Sequence, residues 1–66
     1  MLREYIIDYS ALTDEQQIDS LLDLCSKVAF TFDIDPFTRQ CIVTLESDDE
    51  LKFLKIPSQC QVVPRN

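Results

Sequence analysis

The chain has 66 residues, enough for one domain with a thin core, since a chain of this size buries only about 60% of its unfolded surface. Twelve acidic and six basic residues give a net charge of −6, which disfavours nucleic acid and anionic membranes, because phosphate recognition needs clustered Lys and Arg. The chain has no His and no Gly, so it lacks the commonest general base and any glycine-rich phosphate loop. We therefore expect neither enzyme activity nor a cofactor.

The first predicted element is a strand over residues 2–9, which has Tyr5, Ile7 and Tyr9 on one face. A Glu and an Asp interrupt the apolar run of MLREYIIDYS, which is not typical of a signal peptide. No segment of the chain reaches the roughly 18 apolar residues of a membrane span. We expect an intracellular, cytoplasmic protein.

A helix is predicted over residues 14–26. Thr13 and Gln16 have the spacing of a capping box, and acidic residues follow in the first turn, where the helix dipole favours negative charge. Its apolar residues follow the i, i+3, i+4, i+7 pattern of a buried stripe: Ile18, Leu21, Leu22 and Cys25.

A β-hairpin is predicted next, with strands over residues 28–34 and 40–46 around the turn Asp-Pro-Phe-Thr at 35–38. Period-two alternation places Phe30, Phe32 and Ile34 on one face of the first strand, the face directed toward the core. In the second strand, the same reasoning places Cys41, Val43 and Leu45 in the core.

The last two predicted elements are a short helix and a strand. Ser47 and Glu50 have capping-box spacing, Leu51 and Leu54 face inward, and Pro57 ends the helix. The final strand covers residues 59–63, with Cys60 and Val62 on its inner face.

The order β-α-β-β-α-β predicts an α+β fold, a small ferredoxin-like sandwich with two helices on one face of a four-stranded antiparallel sheet, in the spatial order 4-1-3-2. This helix–hairpin–helix–strand layout resembles the propeptide inhibitors of subtilisin-type proteases. The resemblance covers the layout of the whole chain and no diagnostic motif. It implies a sheet that docks on a partner, followed by the extended end at residues 61–66.

The cysteines and the acidic clusters do not have the spacing of a metal site. Cys25, Cys41 and Cys60 contain no CxxC pair, and we expect all three to be reduced and buried. Asp33 and Asp35 lie two residues apart, but a calcium loop would require a Gly that the chain does not have.

The sheet face turned away from the helices, which we call the open face, is the predicted partner-binding surface. It combines an apolar centre with an acidic rim, a composition that marks interaction sites. Phe37 at the turn tip is a further apolar anchor. The apolar centre is predicted to contain Leu2, Ile6, Ala29, Ile42 and Val63, and the acidic rim Glu4, Asp8, Asp33 and Glu46.

These observations favour a small acidic protein-binding module that inhibits or regulates a protein partner with a basic surface, of the kind that phages and mobile elements encode. One alternative is a homo-oligomeric structural subunit of a larger complex, in which the open face forms a weak homodimer. Another is an acidic mimic of nucleic acid that blocks a basic groove of another protein. Nucleic acid and membranes are not expected as partners.

Overall fold

A computed structural model describes residues 1–65 of the chain. It confirms an α+β architecture with a four-stranded antiparallel sheet and two helices. In the described residues, no helix has the length and apolar character needed to cross a membrane. The elements in chain order are strand β1 (Arg3–Asp8), helix α1 (Glu15–Val28), strands β2 (Thr31–Asp35) and β3 (Gln40–Leu45), a 3-10 helix (Asp48–Leu54) and strand β4 (Gln61–Pro64).

The sheet has the strand order β2-β3-β1-β4, and every neighbouring pair is antiparallel. Read from the β4 edge, this is the order 4-1-3-2 that the sequence predicts. The two strands richest in buried side chains, β1 and β3, therefore lie at the centre, and β2 and β4 form the two edges.

The core lies between the sheet and the two helices, as the alternation in β1 and β3 predicts. Leu12, in the connection before α1, is also buried, and the sequence analysis did not identify it. The side chains from the predicted core faces that are buried are Tyr5, Ile7, Tyr9, Leu21, Cys25, Cys41, Val43, Leu45 and Leu54.

Helix α1 begins one residue later and ends two residues later than predicted. Asp14, not Thr13, occupies the N-cap position, where its carboxylate accepts a hydrogen bond of 2.9 Å from the backbone N–H of Gln16. A carboxylate also carries the negative charge that the helix N-terminus favours, which a hydroxyl lacks. At the other end, a 2.9 Å ion pair between Asp23 and Lys27 supports the last turn.

The longer helix shortens β2 and overturns the prediction that Phe30 is a core residue. Val28 belongs to the helix, so only Ala29 and Phe30 remain to lead into the strand at Thr31. Phe30 lies in a bend and is 67% exposed, although its backbone N–H donates to the carbonyl of Thr44 at 2.7 Å. Ala29 is partly buried against the core, so its predicted place on the open face is also wrong.

The second helix is a 3-10 helix, and its predicted capping box does not form. Ser47 occupies the N-cap position but makes no side-chain cap bond. The Glu50 carboxylate instead accepts a 2.8 Å hydrogen bond from the backbone N–H of Glu46. The helix ends at Leu54 because Lys55 adopts a left-handed conformation with φ of 50°, before Pro57 can act.

Strand β4 begins later than predicted and includes Pro64, which the sequence analysis placed just beyond the strand. An edge strand tolerates a proline because one side of its backbone needs no ladder bond. Val62 packs against the core from this strand. Cys60 precedes it and is only partly buried, which corrects the prediction of a fully buried thiol.

Candidate functional site: the open face of the sheet

The strand registers place one residue from each strand in a line across the open face. Asp33 on β2 pairs with Ile42 on β3, Ile42 pairs with Ile6 on β1, and Ile6 pairs with Val63 on β4. Residues directly opposite each other in antiparallel strands carry their side chains on the same face of the sheet. This central row, Asp33-Ile42-Ile6-Val63, is therefore a strip of three apolar side chains that ends in a carboxylate at the β2 edge.

A polar row flanks the central row toward the C-terminal end of β3. Thr31 and Thr44 are opposite each other, and the Thr31 hydroxyl donates to the Thr44 hydroxyl at 2.6 Å. Glu4 is opposite Thr44, and its carboxylate accepts a 3.2 Å hydrogen bond from the Arg65 guanidinium. The Glu4 charge is therefore compensated within the chain.

A second polar row lies on the other side and contains Asp8. Its carboxylate accepts hydrogen bonds from the Ser10 hydroxyl at 2.6 Å, the Ser10 backbone N–H at 2.9 Å and the Gln40 amide at 3.4 Å. These bonds, with that from the Ser10 hydroxyl the strongest, lower the pKa of Asp8 below its ordinary value. Asp8 is therefore charged at neutral pH but already has three donors.

Asp33 and Glu46 differ from the other two acidic residues of the predicted rim. Both are exposed, and within residues 1–65 neither carboxylate has a hydrogen-bond or ion-pair partner. Asp33 lies at the end of the central row, whereas Glu46 follows the end of β3. These two carboxylates are the ones most available to a positively charged partner.

Phe37 is 96% exposed at the tip of the turn between β2 and β3. The Asp35 carboxylate holds this turn by accepting from the backbone N–H groups of Phe37 at 3.0 Å and Thr38 at 3.3 Å, as the sequence predicts. The bonds from Thr38 and Phe37 lower the pKa of Asp35. Phe37 therefore has a fixed backbone, but it lies beyond the strand ends, apart from Ile6 and Ile42 at mid-sheet.

A depression with a volume of about 140 Å³ lies beside the β2 end of the central row. Its floor is apolar and its rim acidic. Ile34 was not included in the predicted binding surface because alternation turns its side chain toward the helices, but at the edge of the sheet this residue is 46% exposed and borders the depression. The depression is lined by Ile6, Asp33, Ile34, Asp35, Gln40 and Ile42.

A second exposed apolar surface lies near the start of the chain, where the side chains of Met1, Leu2 and Phe30 line a groove with Glu46 and Glu50. Met1, Leu2 and Phe30 are all largely exposed. Leu2 therefore belongs with this groove, away from the apolar centre around Ile6 and Ile42.

The thiols lie on the opposite side of the sheet, in and beside the core. Cys25 and Cys41 are both buried, and the interaction between the two thiols, together with burial, raises the pKa of the Cys25 thiol. Burial likewise raises the pKa of Cys60. Across residues 1–65, no group of three or more Cys, Asp or Glu residues is arranged to hold a metal ion.

Comparison of the chain with protein-family models, with curated proteins and with solved structures found no match.

Proposed function

We propose that this protein binds another protein through the open face of its sheet and acts as a small inhibitor or regulator of that partner. The central row carries the proposal, because it places Ile42, Ile6 and Val63 side by side on a surface that no helix covers. Adjacent apolar side chains within a polar surround are the composition from which interface affinity arises.

The free carboxylates support a partner with a basic surface. Asp33 and Glu46 are uncompensated within the described residues, and the chain carries a net charge of −6. Such a surface accelerates association with positively charged proteins, and salt screens the effect. Glu4 and Asp8 already have partners within the chain, so their contribution is mainly to orient neighbouring groups.

The strand order supports a ferredoxin-like arrangement as the framework of this surface. Two crossovers, β1-α1-β2 and β3 to β4 through the 3-10 helix, leave one side of the sheet uncovered. We propose that the short 3-10 helix takes the place of the second α-helix, which packs on the sheet in longer members of this architecture.

The test begins with affinity capture of the partner from a lysate and continues with the purified pair. Ile42→Asp places a charge in the central row, and we expect it to abolish binding while the protein stays folded. Phe53→Asp makes the same kind of change at an exposed position of the 3-10 helix and serves as the matched control. Normal binding by folded Ile42→Asp, or loss of binding by Phe53→Asp alone, would show that the open face is not the interface.

A second pair of variants tests electrostatic steering. Asp33→Asn combined with Glu46→Gln is expected to lower the association rate and its dependence on salt, with little change in the dissociation rate. Glu15→Gln combined with Asp19→Asn makes the same change in net charge on exposed positions of α1. If both pairs lower the rate equally, net charge matters and the position of the carboxylates does not.

A further inference from the structure

We propose that the free edge of β2 binds an extended, basic segment of the partner as an additional, fifth strand of the sheet. The inference rests on the proposed function and names the element that receives the partner and the chemistry of the partner segment.

The two edges of the sheet differ in their capacity to add a strand. Edge strands expose backbone N–H and C=O groups, and proteins protect them with proline, lysine or a covering element. The β4 edge contains Pro64, and Arg65 beyond it is held by Glu4 through both a backbone bond of 3.0 Å and the side-chain ion pair. Strand β2 contains neither proline nor a basic residue, and four of its five residues are exposed.

The side chains of β2 determine which strand fits beside it. Asp33 and Asp35 point to the open face together with Thr31, while Phe32 and Ile34 point to the helix face. An added strand lies beside Asp33 and Asp35 with every second residue, and a basic residue there gains a favourable cross-strand pair with Asp33. Asp35 already accepts the backbone N–H groups of the turn, so it contributes its negative charge to the same edge. The residues between them meet Phe32 and Ile34, where apolar side chains would cover the exposed part of Ile34.

The depression beside the central row extends this complementarity. A long basic side chain placed opposite Asp33 is one strand spacing, about 5 Å, away from it, so its charge reaches the Asp33 carboxylate at the rim of the depression. Ile42 and Ile6 are two and three strand spacings away, about 10 and 14 Å, so the apolar floor is left for other parts of the partner. The partner segment is therefore expected to alternate basic and apolar residues over about five positions.

A second copy of this chain fits the same edge poorly. Antiparallel pairing of β2 with its own copy brings Asp33 and Asp35 of both chains together on one face. Like charges directly opposite each other destabilise a strand pair. The acidic edge thus disfavours self-association and favours a cationic strand.

The test uses a synthetic peptide, acetyl-Val-Lys-Val-Lys-Val-Lys-Val-amide, titrated into the whole protein with backbone NMR and fluorescence anisotropy as readouts. We expect the shifts and the new amide protection to concentrate on β2. A peptide of the same sequence that is N-methylated at alternate residues keeps its charge but loses the N–H donors along one edge of its backbone. We expect it to bind at least about tenfold more weakly. Equal binding by the methylated peptide would reduce the interaction to simple charge attraction and overturn the inference.

Protein variants separate this inference from the proposed function. Asp33→Lys should weaken binding of the peptide about tenfold or more, whereas Gln61→Lys, which introduces a lysine on the β4 edge, should change the affinity little. If the peptide fails to bind wild-type protein while the captured partner still depends on Ile42, the strand-addition inference is wrong and the open-face proposal stands. If the peptide binds β2 but the captured partner binds the Ile42→Asp variant as tightly as the wild-type protein, the proposed interface is wrong.

Discussion

Replacing Phe30 by Ala measures how far the core extends toward the β2 end of the sheet. Truncation of a fully buried Phe costs about 3–5 kcal/mol. The Phe30 ring is 67% exposed, so about one third of it is removed from water. One third of that cost gives an expected loss of about 1–1.7 kcal/mol in the free energy of unfolding.

Interpreting the loss measured for Phe30→Ala requires reference substitutions at positions of known burial in the same sheet. Leu45 is fully buried, and Leu45→Ala should cost about 2–5 kcal/mol. That is a large part of the roughly 3–10 kcal/mol expected for a chain of this length, so Leu45→Ala alone could leave too little folded protein to measure. Ile7→Val, also at a fully buried position, provides a milder reference of about 0.5–1.5 kcal/mol.

Urea denaturation followed by far-UV circular dichroism gives the free energy of unfolding for each variant, and equal m-values would show that the same surface is exposed in all of them. We expect Phe30→Ala to fall close to Ile7→Val. A loss of 3 kcal/mol or more for Phe30→Ala, which is about the cost of a buried ring, would refute the exposed placement and with it the end of α1 at Val28.

Three further predictions concern other parts of the chain. Lys55→Gly should raise the free energy of unfolding by about 0.5–1 kcal/mol, because Gly adopts the left-handed conformation without a Cβ clash; an unchanged urea midpoint would contradict this. Cys60 should react with an aromatic disulfide reagent at pH 8 well before Cys25 and Cys41, which should require denaturant; simultaneous labelling of all three would be contrary to the burial pattern. The lowered pKa of Asp35 means that its stabilising contribution is present above its ordinary pKa and is lost as the pH falls through its lower folded-state pKa. The urea midpoint of Asp35→Asn should therefore decrease less than that of the wild-type protein between pH 5 and pH 2. An equal decrease would show that the Asp35 carboxylate does not contribute to the pH dependence of stability.

Alternation was a reliable guide for the central strands and a poor one at the edge. In β1 and β3 it predicted the buried apolar residues, because side chains there are covered by helices on one face and flanked by strands on both sides, but it did not predict that Thr44, on the open face, is buried as well. In the predicted strand over residues 28–34 it placed Phe30 and Ile34 on the core face, but Phe30 precedes β2, and a strand with one neighbour cannot bury every apolar residue of its inner face. The candidate partner-binding residues were also chosen from alternation, and the strand registers place Ile6, Ile42 and Asp33 in one row.

Helix ends were missed because several residues compete for the same cap. Thr13 and Asp14 are both good N-caps, and the sequence cannot show which of them has the extended backbone that lets its side chain reach the first turn. Similarly, Asp48 in the first turn of the 3-10 helix accepts a hydrogen bond from the Tyr5 hydroxyl and pairs with Arg3 at 3.7 Å. Such long-range partners do not follow from local spacing.

The strand order also sets the sequence of events by which the chain folds. Only the β2–β3 pairing joins neighbours along the chain, across a turn held by Asp35, so its loop-closure entropy is small. The β1–β3 pairing joins distant segments, and the β1–β4 pairing spans nearly the whole described chain. Since non-local pairings slow folding, the hairpin should form first and β4 should dock last. During synthesis, residues 61–64 must therefore leave the ribosome before β1 can acquire its outer neighbour, and until then β1 is itself an exposed edge.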